Sequence, residues 1–196
     1  MIVRASAPTR IDLAGATLDI WPLYLHHLEA QTLNVAITIR AHCWIRTAEE
    51  GGIRIQSLDT GQTIRLKHES ELLNGNELIL IRKILHFFKM ENVEVVTRSD
   101  SPIGAGIAGS SALNVALCAS AARWKEKSYS PEELLQIAMN LEAQAIKVPT
   151  GAQDYRPAYY GGVSAIEFGV AGLHRVALDL NLVELERRLI LAYTGS

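Results

Sequence analysis

The chain has 196 residues, 48% of them hydrophobic and 20% charged, a composition typical of a globular protein that buries about 70% of its unfolded surface. Nineteen basic and 21 acidic residues leave a formal net charge of −2, which argues against nucleic-acid or membrane-surface partners, since both normally require a basic field. No apolar run reaches the roughly 18 residues that span a bilayer, and the first residues lack a signal-peptide core. A cytoplasmic protein is therefore expected.

The first half of the chain is predicted to be mostly β. Residues 2–14 and 35–47 are rich in apolar and β-branched side chains, as half-buried strands are, and we expect these two segments to pair. Gly51-Gly52 and residues 59–62 each predict a hairpin turn between strands.

Helices and strands alternate in the second half. The clearest helix start is Ser130, because Pro131 fits the first helical position and Glu133 completes a capping box, and this helix should run to about residue 146. The other predicted elements are, in order, a helix over 76–90, a strand over 93–97, a loop over 99–109, a helix over 110–125 and strands over 161–168 and 188–193. The interleaving predicts an α+β fold.

The predicted loop before the 110–125 helix contains three glycines and two serines: Gly104, Gly106, Gly109, Ser110 and Ser111. Exposed amides and the helix dipole favour a phosphate at such a place. The glycines also match the dinucleotide fingerprint G-x-G-x-x-G, but the next segment is a polar turn and a helix instead of the required strand ending in an acid. A Walker A loop is excluded because no Gly-Lys-Ser/Thr follows. The alternative to a phosphate site is a plain glycine-rich turn capped by Ser110.

This loop resembles the second motif of the GHMP kinases (galacto-, homoserine, mevalonate and phosphomevalonate kinases), in which a proline and a G-L-G-S-S-A loop cover the phosphates of ATP. Small residues are kept where Ala108 and Gly109 replace the usual Gly and Ser, although the hydroxyl is lost at position 109. The resemblance implies an ATP site made by Pro102, Gly104, Gly106, Ala108, Gly109, Ser110 and Ser111.

Two further segments resemble this family. Residues 7–19 are similar to its first motif, a strand that runs into a substrate loop with a basic residue, here Arg10, and a distal acid, here Asp19. A carboxylate can accept hydrogen bonds from two sugar hydroxyls, although Asp19 could also merely cap a turn. The runs 33–37 and 151–155 resemble the Asn-x-Ala-Ile and G-x-Q-D segments of bacterial heptose kinases.

The resemblance also implies roles for individual residues. Ser110 and Glu142 would hold Mg²⁺, Asp154 would be the catalytic base with Arg10 in the same pocket, and Arg156 could reach a phosphate on the sugar or on ATP. Phosphoryl transfer needs neutralised phosphates, an aligned hydroxyl and an acceptor for its proton. For Glu142, the alternative is a place on a solvated helix face. No histidine has the spacing of a transition-metal site.

At the level of domains, the resemblance implies that residues 1–190 form the ATP-binding N-terminal domain of a GHMP kinase, with the α+β fold of ribosomal protein S5 domain 2. Residues 191–196 would begin a C-terminal domain absent from this chain, so little kinase activity is expected of residues 1–196 alone. The expected reaction is ATP-dependent phosphorylation of a small-molecule hydroxyl, such as that of a heptose or heptose 7-phosphate. A catalytically idle nucleotide- or sugar-binding module is the alternative, and a homodimer stays open.

Overall fold

The computed structural model describes residues 1–15, 17–27, 29–170 and 172–195. The strands within this part are β1 (Ile2–Ala14), β2 (Gln31–Thr47), β3 (Ile53–Ser57), β4 (Thr63–Leu66), β5 (Val93–Ser99), β6 (Val163–Gly169) and β7 (Gly172–Leu178). The α-helices are α1 (Ile79–Phe87), α2 (Gly109–Trp124), α3 (Pro131–Ile146), α4 (Tyr155–Tyr160) and α5 (Leu182–Arg187). One mixed sheet and the helices packed on it make up an α+β fold, as predicted.

The long strand β2 organises the sheet. β1 runs antiparallel along one edge of β2, from Ile2 opposite Arg46 to Ala14 opposite Leu33. The other edge of β2 carries β5 beside residues 41–47 and β6 beside residues 31–35, giving the order β4-β3-β5-β2-β6-β7. The register of β1 shifts on either side of the segment Arg10–Asp12. Such irregularities re-aim side chains and are common beside functional sites.

The core lies between the sheet and the helices. Alternate residues of β2, namely Ala41, Cys43 and Ile45, are fully buried, as expected of a strand with one covered face. The Ala-rich helix α2 lies against β1 and β2, and α1, α3 and α4 pack around it. Its small side chains allow this close approach. Cys43 and Cys118 are buried free thiols, and burial raises the pKa of Cys43 to about 12.

Several local predictions are confirmed. Residues 2–14 and 35–47 pair, and Ser130 accepts a hydrogen bond from the Glu133 amide while the Glu133 side chain accepts one from the Ser130 amide. The predicted helix over 76–90 is shorter, with its bounds at Ile79 and Phe87.

Two predictions are wrong. Gly51-Gly52 does not close a hairpin, because β3 pairs in parallel with β5, which therefore lies between β2 and β3. Residues 188–193 form no strand, since the chain there follows the short helix α5. The helix α4 and the strand β7 were not predicted. Among the described residues no helix has both the length and the apolar character needed to cross a membrane.

Candidate active site

The loop between β5 and α2 lines a cavity of about 450 Å³. Gly104, Gly106 and Ala108 have positive φ angles of 79°, 73° and 61°, a region that glycine adopts at little cost. These turns lead into α2, whose N-cap residue Ala108 offers no side-chain acceptor to the amides of the first turn. Free amides at the positive end of a 16-residue helix favour an anion. Ser110 is not the cap, so the alternative of a serine-capped turn is wrong.

Arg10 ties this loop to the segment that contains Asp154. The Arg10 amide donates to the carbonyl of Ile107 at 3.1 Å, and its Nη1 donates to the carbonyl of Gly106 at 3.0 Å. Nε and Nη2 of the same side chain lie 2.8 and 2.5 Å from Oδ1 of Asp154. A single guanidinium, 11% exposed, therefore fixes the glycine loop and the Asp154 carboxylate relative to each other.

Asp154 lies at the start of α4 and lines the same cavity as the glycine loop. Burial raises the pKa of its carboxyl group, and the Arg10 guanidinium opposes this rise without cancelling it. A second acid, Asp12, has its Oδ2 3.4 Å from Arg10 Nη1, and burial also raises the pKa of Asp12. Two carboxylates thus flank one guanidinium. A carboxylate with a raised pKa is a stronger proton acceptor.

Glu142 is buried beneath the N-terminus of α2 instead of lying on a solvated helix face, so that alternative is wrong. Its Oε1 accepts a hydrogen bond from Ser110 at 2.9 Å. Its Oε2 accepts hydrogen bonds from Tyr155 Oη at 2.6 Å, Ser111 Oγ at 3.2 Å and Asn114 Nδ2 at 3.3 Å. The exposed Ser110 lines the glycine-loop cavity. A serine hydroxyl and a carboxylate at the mouth of an anion site are oxygen ligands of the kind Mg²⁺ takes, together with phosphates and water.

Asp19 is almost fully buried, 2% exposed, behind the turn that precedes α4. Its Oδ2 accepts a hydrogen bond from the Gln153 amide at 2.7 Å, while Oδ1 is a buried acceptor with no hydrogen-bond donor in the described part of the chain. Burial raises the pKa of this carboxyl group. A Cβ atom on Gly151 would lie 2.3 Å from both Asp19 carboxylate oxygens. Glycine is therefore needed at position 151 for the turn to approach Asp19.

A second cavity of about 400 Å³ is lined by side chains that include Asp19, Trp21, Thr150, Glu132 and Arg156. Arg156 is buried, and its Nη2 donates to Glu132 Oε2 at 2.8 Å. The structure thus places Asp19 and Arg156 together at this cavity. Arg10, Ser110 and Asp154 line the glycine-loop cavity instead.

Three contributors to the site were not singled out from the sequence: Asp12, Asn114 and Tyr155. Asn114 follows Ser110 by one helical turn in an otherwise Ala-rich helix, a spacing that puts both on one face. Asp12 follows Arg10 by two on one strand, which gives both side chains the same face. Tyr155 had no such signal, because its contact with Glu142 depends on how α4 packs against α3.

Part of the chain is similar to a known protein family. Residues 78–162 match the family model described as the GHMP kinases N terminal domain. The chain is 30% identical over 172 residues to the D-glycero-alpha-D-manno-heptose 7-phosphate kinase of Campylobacter jejuni, covering 85% of this chain and 50% of that protein. The chain thus spans about half the length of this curated relative.

Solved structures agree. The crystal structure of a D-glycero-D-manno-heptose 1-phosphate kinase from Bacteroides thetaiotaomicron superposes with a TM-score of 0.85 at 23% identity, over 95% of this chain and 62% of that one. A Campylobacter jejuni protein described as a sugar kinase gives a TM-score of 0.80 at 27% identity, over 93% and 60% of the two chains. The chain has the fold of the GHMP kinase N-terminal domain, and the predicted resemblance to that family is confirmed. Two of these similar proteins are heptose phosphate kinases.

Proposed function

We propose that the protein transfers a phosphoryl group from ATP to a hydroxyl of a sugar, with a heptose or a heptose 7-phosphate as acceptor. The observation that carries the proposal is the Arg10–Asp154 pair. It holds a partly buried carboxylate beside the glycine loop, which leads into the helix α2 without a side-chain cap. The choice of sugar is supported by the names of the relatives, a heptose 7-phosphate kinase and a heptose 1-phosphate kinase.

In this proposal the phosphates of ATP lie against the glycine loop and the first turn of α2. The residues assigned to them are Pro102, Gly104, Gly106, Ala108, Gly109, Ser110 and Ser111, most of which line the first cavity. Ser110 and Glu142 would hold Mg²⁺, which when bound neutralises phosphate charge. The two residues fit that task because the Ser110 hydroxyl, which lines the cavity, lies 2.9 Å from a carboxylate oxygen of the buried Glu142.

Asp154 is assigned the role of proton acceptor for the sugar hydroxyl. Its raised pKa makes the carboxylate more basic than an ordinary aspartate, while Arg10 keeps it oriented toward the cavity. Arg10 also supplies positive charge next to the glycine loop, where negative charge on the transferred group would have to be stabilised. Positioning and proton acceptance are therefore united in one ion pair.

Asp19 and Arg156 are assigned to the acceptor. Within the described part of the chain Oδ1 of Asp19 has no donor, and sugar hydroxyls are donors. The Glu132 carboxylate already occupies Arg156 Nη2, and Asp19 adds a second negative charge to the same cavity. Two negative charges beside one arginine make this cavity better suited to sugar hydroxyls than to an anionic group. Arg156 could bind a phosphate of the sugar only by giving up its ion pair with Glu132.

A second candidate is a catalytically idle nucleotide- or sugar-binding module. The observation that favours it is the altered loop, in which Ala108 has a positive φ where the family has glycine. A Cβ at Gly109 would lie 3.1 Å from Ser101 Cβ, so the serine usual at position 109 would be crowded here.

The test is ADP release from Mg-ATP, by the chain together with the C-terminal domain that the family resemblance implies, in the presence of heptoses, heptose phosphates, hexoses, mevalonate and homoserine. The proposal predicts release that depends on a sugar, with the phosphorylated sugar identified by mass spectrometry. Saturable Mg-ATP binding without release for any acceptor would instead support the idle module. Release driven only by mevalonate or homoserine would overturn the sugar assignment.

A further inference from the structure

Tyr155 links the two halves of the proposed site. It is the residue after Asp154, it is fully buried, and its hydroxyl donates to Glu142 Oε2 at 2.6 Å. The hydroxyl of Thr150 lies 3.3 Å from the same oxygen of Tyr155. Tyr155 is the donor in its contact with Glu142, because a carboxylate oxygen can only accept. The segment that carries Asp154 is therefore bonded directly to the carboxylate assigned to the metal.

The two oxygens of Glu142 are used unequally. Oε2 faces three side-chain donors, of which Tyr155 is the nearest, and Asn114 Nδ2 is in turn held by the Ala138 carbonyl at 2.7 Å. Oε1 has its shortest contact with Ser110, the residue exposed at the cavity. A carboxylate held in this way has one oxygen occupied by the protein and the other directed to the site.

We propose that Tyr155 is a positioning residue that keeps Glu142 a one-oxygen metal ligand and thereby favours Mg²⁺ over Ca²⁺. The inference rests on the proposed function, because it takes Glu142 as a metal ligand. Mg²⁺ demands a compact octahedral shell and uses few protein oxygens, whereas Ca²⁺ takes six to eight oxygens and accepts carboxylates through both. Release of Oε2 should therefore help Ca²⁺ more than Mg²⁺.

The test is binding of the ATP analogue with a β,γ-imido bridge, measured by titration calorimetry over a range of MgCl₂ or CaCl₂ concentrations. The quantity compared is the concentration of each metal ion that gives half-maximal analogue binding. In Tyr155→Phe, which loses only the hydroxyl, this concentration should fall for Ca²⁺ relative to Mg²⁺ by about tenfold, the size expected for one hydrogen bond to a charged group. Tyr129→Phe is the matched control, because Tyr129 packs edge-on against Phe88 in the core cluster, away from the glycine loop. A folded Tyr155→Phe protein with an unchanged ratio would overturn the inference.

A second variant keeps the test decisive if Tyr155→Phe does not fold. Ser111→Ala removes another donor from the same Oε2, at 3.2 Å, and should move the ratio in the same direction by a smaller factor. A merely structural role would weaken binding with both ions equally. Absence of metal-dependent analogue binding in the wild type would overturn the proposed function and this inference together. Wild-type binding with no shift in either variant would overturn the inference alone.

Discussion

Arg10 on β1 and Asp154 at the start of α4 are 144 positions apart in sequence and form the ion pair around which the candidate site is built. Because the same guanidinium donates to the carbonyl of Gly106, the glycine loop and the carboxylate assigned as proton acceptor are held by one side chain.

In the protein that includes the expected C-terminal domain, Asp154→Asn should retain Mg-ATP binding and lose turnover by about 10²–10⁴-fold, because the amide cannot accept the hydroxyl proton. The measurements are nucleotide binding by calorimetry and sugar-dependent ADP release. Asp179→Asn, at an exposed position after β7, is the control and should behave like the wild type. Near-normal turnover of Asp154→Asn would remove Asp154 from the catalytic role.

The ionisation of Asp154 should show opposing effects of burial and Arg10. Since the pKa of Asp154 is raised overall, its titration midpoint should lie above about 3.9, the ordinary value for aspartate. Arg10→Gln removes the group that lowers this pKa, so the midpoint should move further up. Carboxyl ¹³C NMR titration of the two proteins makes the comparison. A midpoint that stays in place or falls in Arg10→Gln would show that the pair does not control this ionisation.

Gly151→Ala should destabilise the fold by about 1–3 kcal/mol, the usual cost of forcing extra atoms into a packed site. The added Cβ would lie 2.3 Å from both oxygens of Asp19, and one of them, Oδ2, is held by the Gln153 amide. Gly169→Ala is the matched control, because among the described residues its Cβ would meet just the Gly172 carbonyl, at 3.8 Å. Urea unfolding of both variants gives the comparison, and equal stabilities would mean that Asp19 moves freely.

Glu94→Gln should lower the free energy of unfolding by about 1–2 kcal/mol at pH 7, a loss kept small because both arginine partners are partly exposed. The hydrogen bond from Arg46 holds the pKa of Glu94 below its usual value. A lowered pKa stabilises the fold above the unfolded pKa of about 4.3, and this stabilisation is lost as the pH falls through the lower folded pKa. The difference between wild type and variant should therefore close below about pH 4.

Glu50→Gln provides the contrast for that experiment. Glu50 also pairs with an arginine, Arg65, but both side chains are exposed, and such pairs contribute about 0–1 kcal/mol. Its unfolding curve should match that of the wild type at every pH. A loss in Glu94→Gln no larger than that in Glu50→Gln would contradict the importance of burial at Glu94.

Local signals account for the parts of the fold that were predicted. The Ser130-Pro131 start of α3 and the strand pattern of residues 2–14 are encoded by neighbouring residues. The parallel pairing of β3 with β5 is not encoded by neighbouring residues, since it depends on which distant strand fits beside β5. The short helix α4 has only six residues and contains Pro157, so it carries no helical periodicity strong enough to predict it.

The same distinction applies to the site. The motifs predicted which residues matter, and the fold determines how they are grouped: Asp19 and Arg156 share one cavity, while Arg10 and Asp154 line the other. The donors around Glu142 come from α2 and α4, and no spacing in the sequence links Tyr155 to residue 142. The roles of these residues stay predictions until they are tested.

The glycine-loop cavity is proposed to bind the phosphates of Mg-ATP through the first turn of α2 and the Ser110–Glu142 pair. The most direct measurement is calorimetric titration of ATP, with and without Mg²⁺, into the wild type and Ser110→Ala, with NAD as the competing ligand. We expect one saturable ATP site that requires Mg²⁺ and is weakened in Ser110→Ala, with no binding of NAD. Binding of NAD instead of ATP, or ATP binding with the same Mg²⁺ dependence in both proteins, would show that this cavity is not such a site.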